Sequence, residues 1–256
     1  MASLLFRARR SAAALLLLLG ATLAAEAQTS GARLTKYQEP VYPENLNKTR
    51  KQGNVVLLGR IDTNGKVQDI QPLVASHELF VPPAIAAVRA WQFQPARRDG
   101  KPVEIAANIG VRFRLKTEQR GEIPAPILGD LVISPADASG QRSAPEGFPI
   151  QRGKDARLRV EALLDVSPQP KAHAVKLRAE AISPKGKRMT LYEDALPVAA
   201  KAGEVRLSFT APVGLDWEDG VWMLRFSAGG ADAGGGQFWL AGDPSHFDFA
   251  AAAPRR

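Results

Sequence analysis

An apolar hairpin is predicted near the start of the first half of the chain. Residues 54–62 (NVVLLGRID) and 67–74 (VQDIQPLV) are rich in apolar and β-branched side chains, as paired strands usually are. Asn64-Gly65 lies between the two runs, and both residues tolerate the positive φ angles of a two-residue hairpin turn. The pattern therefore predicts two antiparallel strands joined by a tight turn at 63–66.

A helix and a further strand are predicted after the hairpin. Ile85, Val88 and Trp91 recur at three-residue spacing, which indicates one apolar stripe of a helix that begins near Pro82. Residues 103–115 (VEIAANIGVRFRL) end in an alternation of apolar side chains with arginines, the pattern of a half-buried strand. With a short helix predicted just before the hairpin, the order of elements predicts a two-layer α+β domain with its helices on one face of an antiparallel sheet.

The second half of the chain carries strand patterns almost throughout. Apolar side chains alternate with polar ones, as at Val205, Leu207 and Phe209, and turns rich in Pro, Gly and Asp separate the runs. Such short, regularly spaced strands are typical of an all-β sandwich, and an immunoglobulin-like sandwich is predicted. Six strands are predicted, at 156–165, 174–182, 189–192, 204–210, 220–228 and 236–241.

The N-terminal segment reads as a secretory signal. Arg7, Arg9 and Arg10 precede an apolar run at 12–25, and Ala25-Glu26-Ala27 supplies small residues for an A-x-A cleavage site. The run of about 14 residues is shorter than the ~20 that a helix needs to cross a bilayer. Cleavage after Ala27 is the preferred interpretation, and an uncleaved membrane anchor is the alternative.

The pattern and composition together predict six segments along the chain. A polar stretch precedes the first module, and a stretch with charges, Gly121, Pro124 and Pro126 separates the two modules. The predicted segments are a signal peptide (1–27), a flexible polar lead-in (28–37), the α+β domain (38–116), a linker (117–127), the β-sandwich domain (128–242) and a flexible tail (243–256).

Charge and chemistry argue against several classes of function. The formal net charge is +8, but the basic residues are scattered and no basic helix or RNA-binding motif is present, so no nucleic-acid partner is predicted. The chain has no cysteine, which excludes disulfides, thiol catalysis and zinc–thiolate sites. His77, His173 and His246 lie in separate segments without metal-ligand spacing. We therefore predict no catalytic residue, metal site or cofactor, and a protein that is not an enzyme.

A set of short motifs in the first module resembles the TonB C-terminal domain family. Each motif alone is weak, but their order and spacing over about 70 residues are fairly specific. The second module carries no such resemblance. The motifs are Tyr42-Pro43, Gly53-x-Val55, Asn64-Gly65-Lys66-Val67, Ala87-Val88-x-x-Trp91-x-Phe93-x-Pro95-Ala96, Asp99-Gly100-x-Pro102-Val103 and Phe113.

This resemblance implies a periplasmic module whose last strand pairs with an extended partner peptide, a recognition mode called strand addition. That strand would be 103–115. Single residues also have a structural alternative. Tyr42 could pack within the module, and Trp91 and Phe93 could be core residues. Arg112 and Arg114 could be charges that protect the strand edge from aggregation. The candidate partner-binding residues are Tyr42, Pro43, Val111, Arg112, Phe113 and Arg114.

The resulting hypothesis is a periplasmic protein-binding or scaffold protein with a protein or peptide partner, for which an outer-membrane receptor is a candidate. A homodimer remains open. The alternative, from a different class, is a TonB-type energy transducer for receptor-mediated transport, anchored in the inner membrane and facing the periplasm. Members of that type have a retained membrane helix and a long Pro-rich spacer, whereas only about ten residues separate the signal segment from the module here. Contact with the membrane would follow only if the N-terminal segment were retained.

Overall fold

A computed structural model describes residues 28–116 and 125–241, which fold as two modules. The predicted signal peptide (1–27), most of the predicted linker (117–124) and the predicted tail (243–256) lie outside the described residues. Neither of the described helices has the length and apolar content that crossing a bilayer requires.

The first module contains the predicted antiparallel sheet with two helices. Its main sheet has three strands in the order β4-β3-β8, and two small sheets, β1-β6-β7 and β2-β5, lie beside it. The elements are β1 (Thr29–Ser30), β2 (Arg33–Lys36), α1 (Glu44–Lys48), β3 (Gly53–Ile61), β4 (Val67–Ala75), α2 (Val81–Ala90), β5 (Gln92–Gln94), β6 (Ala96–Arg98), β7 (Lys101–Val103) and β8 (Ile105–Phe113), with a 3-10 turn at Glu78–Phe80.

The polar lead-in is not the flexible segment that the sequence predicted. Strand β1 pairs with β6, so that Thr29 lies opposite Arg98, and β2 pairs with β5, so that Arg33 lies opposite Gln94. Polar side chains misled the prediction because these small sheets expose their side chains while the backbone groups bond to one another. The lead-in is therefore part of the first module.

The hairpin turn differs in type from the predicted one. Only Gly65 has a positive φ, +76°, and its N–H donates to the carbonyl of Asp62, whose own N–H donates to the carbonyl of Lys66. This is a three-residue loop ending in a left-handed glycine rather than a two-residue turn. A Cβ atom at Gly65 would lie 1.8 Å from the Phe93 carbonyl oxygen, so glycine is also required by the close approach of β5.

Helix α2 is present, but it ends one residue before Trp91, the last position of the predicted apolar stripe. Pro82 and Pro83 occupy its first positions, where a missing N–H costs little. The helix ends at Ala90, and Trp91 is extended, with ψ at 153°. Trp91 is nevertheless only 5% exposed, and its indole N–H donates to the Gln38 carbonyl at 2.7 Å, so it serves as a core residue beyond the helix.

The second module consists of two sheets that share one apolar core. A five-stranded sheet has the order β10-β16-β15-β12-β13 and a three-stranded sheet has the order β14-β11-β9. The six predicted strands are present, and two more, β9 and β10, were not predicted; the immunoglobulin-like topology stays a prediction. The strands are β9 (Ile127–Ala136), β10 (Ile150–Gln151), β11 (Arg157–Asp165), β12 (His173–Ile182), β13 (Arg188–Val198), β14 (Glu204–Pro212), β15 (Gly220–Ala228) and β16 (Ala231–Ala241).

The main sheet of the first module is covered on both faces. Val55 and Leu57 of β3 pack on the helix side, whereas Val56 belongs to the core of the second module. Leu58 packs with Ala106 and Trp239 on the same side as Val56. The second module therefore covers the sheet face that lies opposite the helices, for which the sequence predicted no packing partner.

Candidate functional site

The last strand of the first module, β8, presents alternate residues to two different sides. In its ladder with β3, Val55 lies opposite Val111. On the far side of β3, the Ser76 N–H donates to the Asn54 carbonyl at 3.0 Å, so the even-numbered residues of β3 bond toward β4 and the odd-numbered ones toward β8. The odd-numbered residues of β8 thus bond to β3. The backbone groups of its even-numbered residues point away from the sheet.

We call these groups the outward edge of β8, meaning the backbone N–H and C=O groups of Ala106, Asn108, Gly110 and Arg112. Strand β8 is the last strand of its sheet, so no strand among the described residues pairs with this edge. Within residues 28–116 and 125–241, only the Asn108 N–H has a hydrogen-bond partner in this row, the Glu146 carboxylate at 3.4 Å. Among the described residues, the outward edge is therefore left without a paired strand, as the edge strand of an open sheet is.

The side chains of the odd-numbered residues form an aromatic core on the helix face. Phe113 stacks on Phe80 with ring centroids 4.3 Å apart, and Val111 and Phe113 are each 2% exposed. Tyr42 meets both Phe80 and Phe113 edge to face at 5.8 Å. Of the sequence-predicted residues, Tyr42, Val111 and Phe113 are thus brought together, but as parts of one core.

Tyr42 is held on the side of this core by its hydroxyl group. The O–H donates to the Lys51 carbonyl at 2.5 Å, and burial raises the pKa of the phenol to about 12. Pro43 next to it precedes α1, and its carbonyl accepts the N–H groups of Leu46 and Asn47. This geometry favours the packing role for Tyr42 over direct partner contact.

Arg112 of β8 and Arg114, just after the strand, lie on the opposite face and contact the second module. Arg114 forms an ion pair with Asp165, which is 2% exposed, and donates to Glu204 at 2.7 Å. Arg112 lies 3.9 Å from Asp130 and 3.6 Å from Glu204. A buried carboxylate needs such a partner, so these arginines connect the two modules. The sequence predicted instead that they face a partner or solvent.

Buried polar side chains accompany these ion pairs between the modules. Asn108 donates to the Gln237 carbonyl at 3.1 Å, and Asn54 donates to the Leu128 carbonyl at 3.3 Å. Asn54, Asn108 and Gln237 are all less than 9% exposed, and the side-chain oxygens of Asn54 and Gln237 have no hydrogen-bond partner among the described residues. Such orphaned acceptors lower the stability of an interface.

The structure places the predicted partner-binding residues in different surroundings, and their role stays a prediction. Neither the side chains nor the backbone groups of Val111 and Phe113 face the outward edge, because the side chains enter the core and the backbone bonds to β3. A partner strand would instead meet Ala106, Gly110 and Arg112. The signal for the covered second face was the unbroken apolar run at 55–58, since strands buried on both faces lack polar alternation.

Comparison with known proteins places the first module in a family. Residues 38–115 match the family model described as the Gram-negative bacterial TonB protein C-terminal. A search of solved structures matches the solution NMR structure of Pseudomonas aeruginosa TonB CTD with 28% sequence identity. The match covers 34% of the present chain and 90% of the matched one, with a TM-score of 0.30. No curated protein matches the chain.

The family match confirms the resemblance to the TonB C-terminal family for residues 38–115, less than a third of the chain. For this module, the match suggests a protein-interacting role and an association with the cell envelope. Among the residues that the structure describes, no group of three or more His, Cys, Asp or Glu is arranged to hold a metal ion. The edge of β8 is therefore treated as the candidate site because the matched family interacts with proteins.

Proposed function

We propose that this chain is a periplasmic protein-binding or scaffold protein that captures an extended partner segment by strand addition at the outward edge of β8. The observation that carries the proposal is the row of N–H groups at Ala106, Gly110 and Arg112, which have no hydrogen-bond partner among the described residues. An unpaired edge strand of this kind binds a further strand through main-chain hydrogen bonds.

The charge of the first module favours an acidic partner segment. Residues 28–116 contain 14 Lys and Arg against 7 Asp and Glu, whereas residues 125–241 contain 14 of each. An excess of positive charge on a module attracts acidic segments and speeds their association. The second module contacts Arg112 of β8 and Arg114 just after it, and it acts as the scaffold for that edge.

The sharpest test replaces one outward N–H. Arg112→Pro removes an outward donor together with the arginine side chain, and Arg112→Ala removes the side chain alone, so their difference isolates the main-chain bond. A proline at Val111 is less suitable because that N–H bonds to β3. The probe is a ten-residue peptide selected from a random displayed library on the immobilised protein, and its Kd is measured by fluorescence anisotropy.

We expect Arg112→Pro to bind the peptide about tenfold more weakly than Arg112→Ala, as one lost hydrogen bond of ~1.4 kcal/mol implies. Circular dichroism of both variants checks that the fold is intact. Equal affinities in two folded variants would show that the peptide does not pair with this edge. A second copy of the chain on the edge would appear as a dimer that Arg112→Pro, and not Arg112→Ala, dissociates.

A further inference from the structure

An irregular segment of the second module, residues 143–149, lies across the outward edge of β8. Glu146 accepts the Asn108 N–H. A Cβ atom at Gly147 would lie 2.5 Å from the Ala106 carbonyl oxygen, so the backbone of Gly147 passes directly against the strand. Its φ of +85° is a conformation that glycine adopts without strain. The segment thus covers the half of the edge around Ala106 and Asn108.

The same segment is anchored in the first module by an aromatic side chain. Phe148 is 6% exposed and belongs to the core that contains Phe80 and Phe113. The Arg98 guanidinium lies 5.0 Å from the centre of its ring, a cation–π arrangement. Phe148 therefore occupies the first module as an apolar side chain of a bound peptide would.

The cover is weaker than a paired strand. Among the described residues, the segment makes one hydrogen bond with the outward edge, at 3.4 Å and from a side chain, where a strand would make one main-chain bond per residue on average. Glu146 is half-buried, and desolvation of its carboxyl group raises its pKa to about 8. The segment is therefore anchored through Phe148, while its contact with the outward edge itself is weak and can open locally.

We propose that residues 143–149 form an autoinhibitory latch, which occupies part of the outward edge of β8 and must be displaced before an extended partner pairs along its whole length. This inference rests on the proposed function, because it names the regulation of the same edge. The latch would restrict binding to partners whose main-chain hydrogen bonds with the edge contribute more free energy than the contacts of the latch that they displace.

The latch can be closed covalently in the full chain, which has no cysteine of its own. A Cβ atom at Gly31 would lie 2.8 Å from the Pro145 Cβ, and a disulfide needs about 3.8 Å, so a small shift of these two irregular segments accommodates Gly31→Cys with Pro145→Cys. Oxidation fixes the latch in place, and a reductant releases it. The reduced form of the same protein is the matched control.

Two readouts keep the latch and the proposed function distinguishable. The first is amide hydrogen exchange by NMR at Ala106 and Asn108, with Ala107 and Ile109, which bond to β3, as internal references. The second is the affinity of the selected peptide. We expect oxidation to slow exchange at Ala106 and Asn108 by about tenfold or more and to weaken peptide binding by about tenfold, consistent with loss of a local opening.

The opposite variant, Glu146→Ala, removes the hydrogen-bond acceptor of the latch, and we expect faster exchange at Asn108 with the references unchanged. Exchange rates that are equal in the oxidised and reduced forms would overturn the latch, whatever the peptide does. If exchange responds to the disulfide but peptide affinity does not, the segment moves without controlling binding. That result would overturn the latch as a regulator, whereas strand addition at the edge is tested separately by the comparison of Arg112→Pro with Arg112→Ala.

Discussion

The two faces of the β4-β3-β8 sheet are covered by different kinds of side chain. The helix face is apolar and aromatic, with Phe80, Val111 and Phe113 each nearly inaccessible to solvent. The face toward the second module mixes apolar contacts with buried amides and with the ion pair between Arg114 and Asp165. One face resembles a domain core and the other resembles an interface between domains, which is usually more polar.

This difference shows that the helix face of the sheet is buried mainly within the first module. The opposite face is buried only by contact with the second module. The core on the helix face is formed mainly by residues of the first module, and Phe148 of the second module is added to it. The other face places Asn54 and Asn108 against main-chain carbonyls of the second module, groups that water could equally satisfy if the modules separated. The free outward edge of β8 lies between these two environments.

The largest effect is expected on the helix face. Phe80→Ala would remove a fully buried ring that stacks on Phe113, and such truncations cost about 3–5 kcal/mol. We expect urea unfolding to show this loss in free energy. The neighbouring Leu79 is 40% exposed, and Leu79→Ala should change the free energy of unfolding by about 0.5 kcal/mol or less. Similar losses in the two variants would contradict an aromatic core at this face.

A smaller effect is expected between the modules. Arg114→Met would leave the buried Asp165 carboxylate without its cation, at a cost of about 2 kcal/mol after allowance for the partly exposed arginine. Arg112→Met removes longer, half-exposed contacts and should cost less than about 1 kcal/mol. Urea unfolding of the two variants checks the order. The reverse order would mean that Arg112, not Arg114, holds the modules together.

The last effect is a gradual dependence of stability on pH. The raised pKa of Glu146, about 8, means that the covered edge favours the protonated carboxyl group. Its contribution to stability is complete below the ordinary pKa of 4.5 and is lost as pH rises toward 8. The nearby charges of Asp130, Arg142 and Glu161 act on it as well.

We expect wild type to lose free energy of unfolding relative to Glu146→Gln across this range, with a slope below ~1.4 kcal/mol per pH unit for one proton. Urea titrations of both proteins between pH 5 and about 8 measure the difference. Parallel curves would show that Glu146 is not desolvated in the closed segment.

Much of the first module could be predicted from local pattern. The strands around Asn64-Gly65 and the helix after Pro82 follow from side-chain type and turn chemistry, and the structure contains them. The predicted end of the helix was wrong at Trp91, because a helical apolar spacing can continue into an extended residue that packs in the same core. The pairing of the lead-in was missed because backbone bonds leave no hydrophobic signature.

The site itself could be predicted only in part. The alternation at Val111 and Phe113 correctly indicated a buried face, but which strand edge stays open depends on registers that the sequence does not fix. The contact of Glu146 with Asn108 joins residues 38 positions apart. Such a tertiary contact follows from how the two modules pack. No local motif near Glu146 predicts it.

The most direct measurement is amide exchange of the full chain with and without the selected peptide. If the peptide adds as a strand, protection rises at Ala106, Gly110 and Arg112 and stays unchanged at Ala107 and Val111, whose N–H groups already bond to β3. Protection that rises equally at both sets, or only on strands other than β8, would contradict recognition at the outward edge.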